Sequence, residues 1–268
     1  MLRCVRYLWL TLAVAAVCAQ SNIAYAGAFL QNEHEGQAIL LTTILEARHS
    51  FDKSGAVVPA AKTRKTEPSI YIEYGLQSWI SVFAQGSYTN NQVGSPVNAT
   101  YSGLGYSEFG GRVRILETSG FILSSQSSVR LPAPSDHQNP AQIGNTGLES
   151  DNRLQLGKSF KLYGFSAFSD INIGYRTRAG LPANEWRSDF SFGIRPSPKF
   201  MVLMQSFNAV SDGSGRARFP KSASSKVQLS AVYDFSTKWS GQVGAFTTII
   251  GRSYNRETGA LIALWRRF

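Results

Sequence analysis

Few residues in this chain are of types that do chemistry. It has three histidines, His34, His49 and His137, and two cysteines, Cys4 and Cys18. Asp136-His137 sets a carboxylate beside an imidazole, as nucleophilic catalysis requires. A catalytic base must be held within hydrogen-bond reach by rigid surroundings, and Pro132, Pro134 and Pro140 place this pair in a loop. Solvated loop residues are the simpler reading, so no catalytic residue is expected. Three scattered histidines lack the ligand spacing of a metal centre. No cofactor is implied either.

The more informative chemistry is charge at alternate positions. Glu108, Arg112 and Arg114 share one parity, opposed by Phe109, Val113 and Ile115. Arg130 lies in phase with Ser124, Gln126 and Ser128, and Glu73 alternates with Ile72 and Tyr74. Asp170 and Arg176 form a further set, as do Arg187, Asp189 and Arg195. A period of two places each set on one face of a strand. If those polar faces turn inward, arginines outnumber acids there. Such an interior either favours anions or sugar acids, or braces the wall through arginine and carboxylate pairs. Buried charges need partners in both cases.

The elements carrying these charges are predicted to be antiparallel strands. Ile70, Ile72 and Tyr74, then Ile80, Val82 and Ala84, alternate with polar residues on either side of a tight connection, which defines a hairpin. The same pattern recurs along the chain and gives twelve strands, the first over residues 37–48 and the last over 259–268. The contiguous apolar residues Met201, Val202, Leu203 and Met204 leave one strand without an assignable face. A basic, flexible linker is expected over residues 52–67, a polar loop over 90–102, and a long loop over 132–151. Connections alternate between short and long, and aromatic residues such as Trp79, Tyr163, Trp186 and Trp239 mark the strand ends. No stretch after the N-terminal region is long and apolar enough to cross a membrane as a helix, yet 43% hydrophobic residues exclude a disordered chain. Together these features predict an all-β fold, a single closed antiparallel transmembrane β-barrel of about 12 strands, with short periplasmic turns, long extracellular loops and aromatic girdles.

The N-terminus reads as a secretory signal. Arg3 and Arg6 precede an apolar run over residues 7–19, and Ala24-Tyr25-Ala26 forms a small-residue cleavage site before Gly27. The expected division is a cleaved signal over 1–26, a short periplasmic segment over 27–35 and the barrel over 36–268. Loss of the signal takes away Arg3 and Arg6, lowering the formal charge from +10 to +8, and removes both cysteines. Export makes nucleic acid an unsuitable partner for this basic chain. Outer-membrane lipid, lipopolysaccharide and the barrel assembly machinery are the expected partners, in the outer membrane of a Gram-negative cell. The sequence ends on Phe268, which resembles the terminal insertion signal of outer-membrane barrels. Arg266 stands where such strands usually carry an apolar residue, and is expected at the headgroup boundary, where arginine can snorkel.

Several stretches together resemble the XagA-like proteins of proteobacteria: Gly27-Ala-Phe-Leu-Gln31, Tyr71-Ile-Glu-Tyr-Gly75, Gly103-Leu-Gly-Tyr-Ser-Glu-Phe-Gly-Gly-Arg112, Leu203-Met-Gln-Ser-Phe-Asn208 and Leu261-Ile-Ala-Leu-Trp265. The resemblance implies a role in exopolysaccharide export, biofilm formation or autoaggregation, with polysaccharide synthesis or export proteins as partners. A narrow diffusion channel for small anionic or aromatic solutes is the alternative expectation. An adhesin acting through its extracellular loops is the third.

Overall fold

A computed structural model describes residues 27–132, 139–141, 147–216 and 219–268. Its elements are β1 (Gly36–Phe51), β2 (Val57–Gln77), β3 (Ile80–Val93), β4 (Ala99–Thr118), β5 (Phe121–Leu131), β6 (Glu149–Leu162), β7 (Phe165–Arg178), β8 (Glu185–Ser197), β9 (Phe200–Ser211), β10 (Ala223–Asp234), β11 (Trp239–Arg252) and β12 (Tyr254–Arg267). Each strand pairs with its sequence neighbour, and β1 pairs antiparallel with β12 to close the barrel. Ile39 faces Trp265 and Leu45 faces Gly259 in that seam. Phe268 completes it, exchanging hydrogen bonds with Gly36 at 2.7 and 2.9 Å.

Short turns gather at one rim, which the loop asymmetry identifies as periplasmic. At Ser119-Gly120 and Tyr163-Gly164 both central residues have positive φ, 45° and 81°, then 49° and 84°. This is the turn whose twist matches two paired strands, and it requires glycine or a tolerant residue at each position. The opposite rim carries the three longest connections, over 132–148, 179–184 and 212–222.

Three predicted connections are strand instead. The expected linker over 52–67 is a turn over 52–56 followed directly by β2. Asp52 shapes it, its Oδ1 accepting from the Ser54 hydroxyl at 2.6 Å and from the backbone N–H of Ser54 at 2.7 Å and of Ala56 at 3.0 Å, and these donors hold its carboxyl below the usual range. The expected loop over 90–102 shrinks to residues 94–98, and the last strand, expected from residue 259, already begins at Tyr254, so that only Ser253 connects it to β11. The reason is common to all three. Where strands rise beyond the hydrocarbon, the outer face meets water and apolar alternation disappears, while ladder pairing continues.

Side chains divide by parity within the wall. Ser81, Ser124 and Ser240 are inaccessible inside, whereas Leu229, Val243 and Ile262 lie about 60% exposed outside. Met201 and Leu203 point inward and Met204 outward, which settles the facing of β9. Its pattern is obscured because the periplasmic half of the interior is itself apolar. There Ile122, Phe168, Met201, Leu203, Val232, Ala263 and Trp265 form a buried cluster, against which Ile39 and Leu41 pack. Arg266 points outward near the periplasmic rim with its guanidinium 4.9 Å from the Trp239 ring centroid, a position from which it reaches headgroups.

Ile262 faces outward from the middle of β12, opposite Thr42 and Val243. Ile262→Arg should destabilise the barrel by ~2–4 kcal/mol in lipid, read as a lowered denaturant midpoint for folding into vesicles. A variant as stable as wild type would show that this position does not face hydrocarbon.

Candidate functional site

The lumen is the candidate site, and its first component is the chain's own N-terminal segment. Ala28, Phe29, Leu30 and Gln31 are almost wholly buried. The segment expected in the periplasm over 27–35 therefore runs, in its first residues, inside the barrel wall. Burial requires its backbone polar groups to find partners, and the wall supplies them. The N–H of Ala28 donates to Asp170 Oδ2 at 2.6 Å, Ser124 Oγ donates to the Ala28 carbonyl at 3.0 Å, and Arg112 Nη1 donates to the Phe29 carbonyl at 3.2 Å. The Phe29 ring meets Phe168 edge to face at 6.0 Å. Gly157 makes room for it, since a Cβ there would lie 2.8 Å from the Phe29 ring. The segment thus joins the apolar cluster and fills the periplasmic half of the lumen.

The second component is a set of ion pairs around the inner wall. Arg112 sits against Glu73 at 2.9 Å, both buried, and also donates to Gln126 at 2.9 Å. Glu73 accepts in addition from Ser81 at 2.7 Å and Tyr71 at 2.9 Å. Higher in the barrel the antiparallel register places Glu149 opposite Arg130 and Arg178, Asp151 opposite Arg176, and Arg176 opposite Glu185. Pairs follow from that register. Arg176 meets Asp151 at 2.6 Å, Arg178 meets Glu185 at 2.6 Å and Glu149 at 3.1 Å, and Arg153 bridges Asp151 at 2.6 Å to Asp189 at 2.5 Å. Arg130 pairs with Glu108 and Glu149, and Arg187 with Glu185. Near the periplasmic rim Asp234 is held by Arg195 at 2.8 Å and Arg267 at 3.1 Å.

The structure treats the ten charged positions singled out from the sequence in three ways. Glu73, Glu108, Arg112, Arg130, Arg176, Arg187, Asp189 and Arg195 lie inside, each in an ion pair. Arg114 sits at the rim, paired with the exposed Glu117. Asp170 is buried and bonded to Ala28 and Asn172. Sequence reasoning missed Glu149, Asp151, Arg153, Arg178, Glu185 and Asp234. Glu149 and Asp151 fall within the expected loop over 132–151, although Glu149, Asp151, Arg153 and Gln155 continue the period of two that marks an inward face. The Asp136-His137 pair lies outside the described residues.

Above the plug the interior is hollow. Two adjoining cavities, of about 290 and 470 Å³, share Leu45, Lys65, Glu67, Tyr254 and Glu257 in their walls. Cations and acids alternate around this chamber. Lys65 pairs with Glu67 at 2.5 Å and Lys226 with Glu257 at 2.7 Å. From the long loop, Ala141 is buried and its carbonyl accepts from Asn91 Nδ2 at 2.5 Å.

A closed antiparallel barrel of even strand number, apolar outside and polar within, with short turns at one rim, is an outer-membrane β-barrel. No family model and no curated protein matches the chain. Solved structures do. The COG4313 outer membrane channel from Pseudomonas putida F1 superposes with a TM-score of 0.73 at 10% identity, covering 92% of this chain and 100% of that one. The KdgM porin in complex with disordered oligogalacturonate gives 0.53 at 7% identity, covering 87% and 99%. The translocator domain of the autotransporter NalP from Neisseria meningitidis gives 0.50 at 11%, covering 89% and 90%. None of these is described as XagA-like.

If the buried pairs brace the wall, Arg112→Met should cost ~3–5 kcal/mol, because Glu73 is left charged and unpartnered, while the Arg112→Met/Glu73→Gln double variant recovers most of that loss. Denaturant unfolding from lipid vesicles measures both. Equal losses in the single and double variants would show that the pair is not what stabilises this position.

Proposed function

We propose that the protein is a narrow, porin-like outer-membrane channel for small anionic solutes, closed at rest by its own N-terminal segment. The observation that supports this reading is an interior that is hollow toward one rim and filled across the periplasmic half by residues 28–31 and the apolar cluster, which together form a plug. That plug is a short stretch without ladder pairing, the chain's N-terminus once the expected signal is removed, held by a few hydrogen bonds and an aromatic contact, so it can withdraw without breaking the wall. Lys65, Arg130, Arg178, Arg187 and Lys226 around the chamber suit anions, and their acidic neighbours temper that preference. A barrel of the same fold, KdgM, was solved with oligogalacturonate, an anionic saccharide. The protein is read as a conduit and not as an enzyme.

Exopolysaccharide export, implied by the XagA-like resemblance, draws no support from the lumen. A polymer needs a continuous passage, and the periplasmic half is filled by Phe29, Phe168, Met201 and Trp265. Adhesion through the loop over 132–151 rests mostly on residues outside those described. Lipid and lipopolysaccharide around the apolar band, and the assembly machinery reading Phe268, complete this reading as its proposed partners.

Planar-bilayer recording tests the proposal. Wild-type protein should show little steady conductance, and deletion of residues 27–31 should raise it several-fold with a reversal potential favouring anions. Equal conductance in the two proteins would contradict the plug, and cation selectivity would contradict the solute class.

A further inference from the structure

Asp170 differs from the other acids of the lumen. Glu73, Glu108, Glu149, Asp151, Glu185, Asp189 and Asp234 each have an arginine within ion-pair distance. Asp170 is 1% exposed and, among the described residues, has no such partner. Its hydrogen bonds come from the Ala28 N–H and from Asn172 Nδ2 at 2.7 Å. Arg112 acts on it only from beyond ion-pair distance and is itself paired with Glu73; a buried carboxylate so weakly compensated is costly, and a cation beside it would stabilise it.

Gly27 lies against it. A Cβ on Gly27 would fall 2.5 Å from Asp170 Oδ1 and 2.5 Å from Asn172 Oδ1, and the residue has φ +26°. No side chain fits there, and the Gly27 nitrogen, bonded to the same Cα that would carry that Cβ, lies in the same neighbourhood. The Ala24-Tyr25-Ala26 site places signal cleavage immediately before this residue. Hydrolysis of the Ala26–Gly27 amide consumes one water. The hydroxyl leaves with Ala26 as a carboxylate, and the freed Gly27 amine takes up a proton to become an ammonium. A neutral peptide nitrogen is thereby converted to a cation beside Asp170.

We propose that Asp170 and Asn172 are the receptor for the Gly27 α-ammonium, so that signal cleavage itself supplies the charge that seats the plug. Cleavage one residue earlier or later would misplace the charge and leave Asp170 unpaired. The inference stands apart from the channel reading, because it concerns how the segment is held and not what passes when it leaves.

The test uses the mature, folded protein in detergent or vesicles, with an intact mass to establish that it begins at Gly27. An amine-reactive acylating reagent is applied at near-neutral pH, and modification of the N-terminal peptide is followed by mass spectrometry. In wild type the Gly27 amine should react about tenfold or more slowly than in the unfolded chain, because the reagent must wait for local opening. Asp170→Asn, which keeps the shape and removes the charge, should restore most of that rate. So should a precursor with one serine inserted between Ala26 and Gly27, a second variant that leaves the wall untouched. The two changes combined should add nothing beyond either alone. The proposal is overturned if the wild-type amine reacts as fast folded as unfolded, if Asp170→Asn leaves the rate unchanged, or if the mature mass begins elsewhere than Gly27. None of these readouts depends on conductance.

Discussion

In hydrocarbon a backbone N–H or C=O has no water to turn to, and the cost of leaving one unpaired is several kcal/mol. The β1 to β12 seam answers that constraint, and the rest of the molecule follows from it. Closure by consecutive antiparallel pairing forces every strand to alternate between lipid and lumen. Alternation puts Ile262 and Leu264 against the acyl chains and sends Leu261, Ala263 and Trp265 inward. It also sends a large share of the chain's charge into an enclosed space, where charges are tolerable only in pairs.

The lumen can be understood as the solution to that second problem. Register sets acids opposite arginines across neighbouring strands, as with Asp151 and Arg176 or Glu149 and Arg178. The charges nearest the extracellular rim border a hollow chamber, and those at mid-height border the inserted N-terminal segment. At mid-height an arginine joins wall and plug. Arg112 joins Glu73 in the wall to the Phe29 carbonyl in the plug, so the same guanidinium stabilises the barrel and helps to occlude it. Wall stability and the seating of residues 27–31 therefore share one side chain.

Much of this was legible in the sequence, and the remainder was hidden for physical reasons. The hairpins, the strand number and the inward parity of Glu73, Glu108, Arg112 and Arg130 are written in strict alternation, because one face meets lipid. That signal fades wherever both faces share a polarity. Residues 57–67 and 99–102 lie in strands whose outer face meets water, so they read as linker or loop. Met201 and Leu203 face an apolar part of the lumen, so β9 shows no period. The plug was illegible for a different reason. Gly27-Ala-Phe-Leu-Gln31 is too short for periodicity, and its burial depends on Phe168, Ser124 and Asp170, contacts distant in sequence. Phe29 and Leu30, two apolar side chains just after the expected cleavage site, are the one local sign of burial in that stretch.

The central claim is a lumen divided in two, hollow on the extracellular side and sealed below by residues 27–31. Because both cysteines lie before the expected cleavage site, the mature protein offers a thiol-free background in which single cysteines report water access. Thr89 lines the chamber, and Ser124 touches the Ala28 carbonyl beneath it. With the protein reconstituted in vesicles, Thr89→Cys should be modified readily by a membrane-impermeant maleimide, and Ser124→Cys should resist it until residues 27–31 are deleted. Equal modification of the two cysteines with the segment intact would contradict the account.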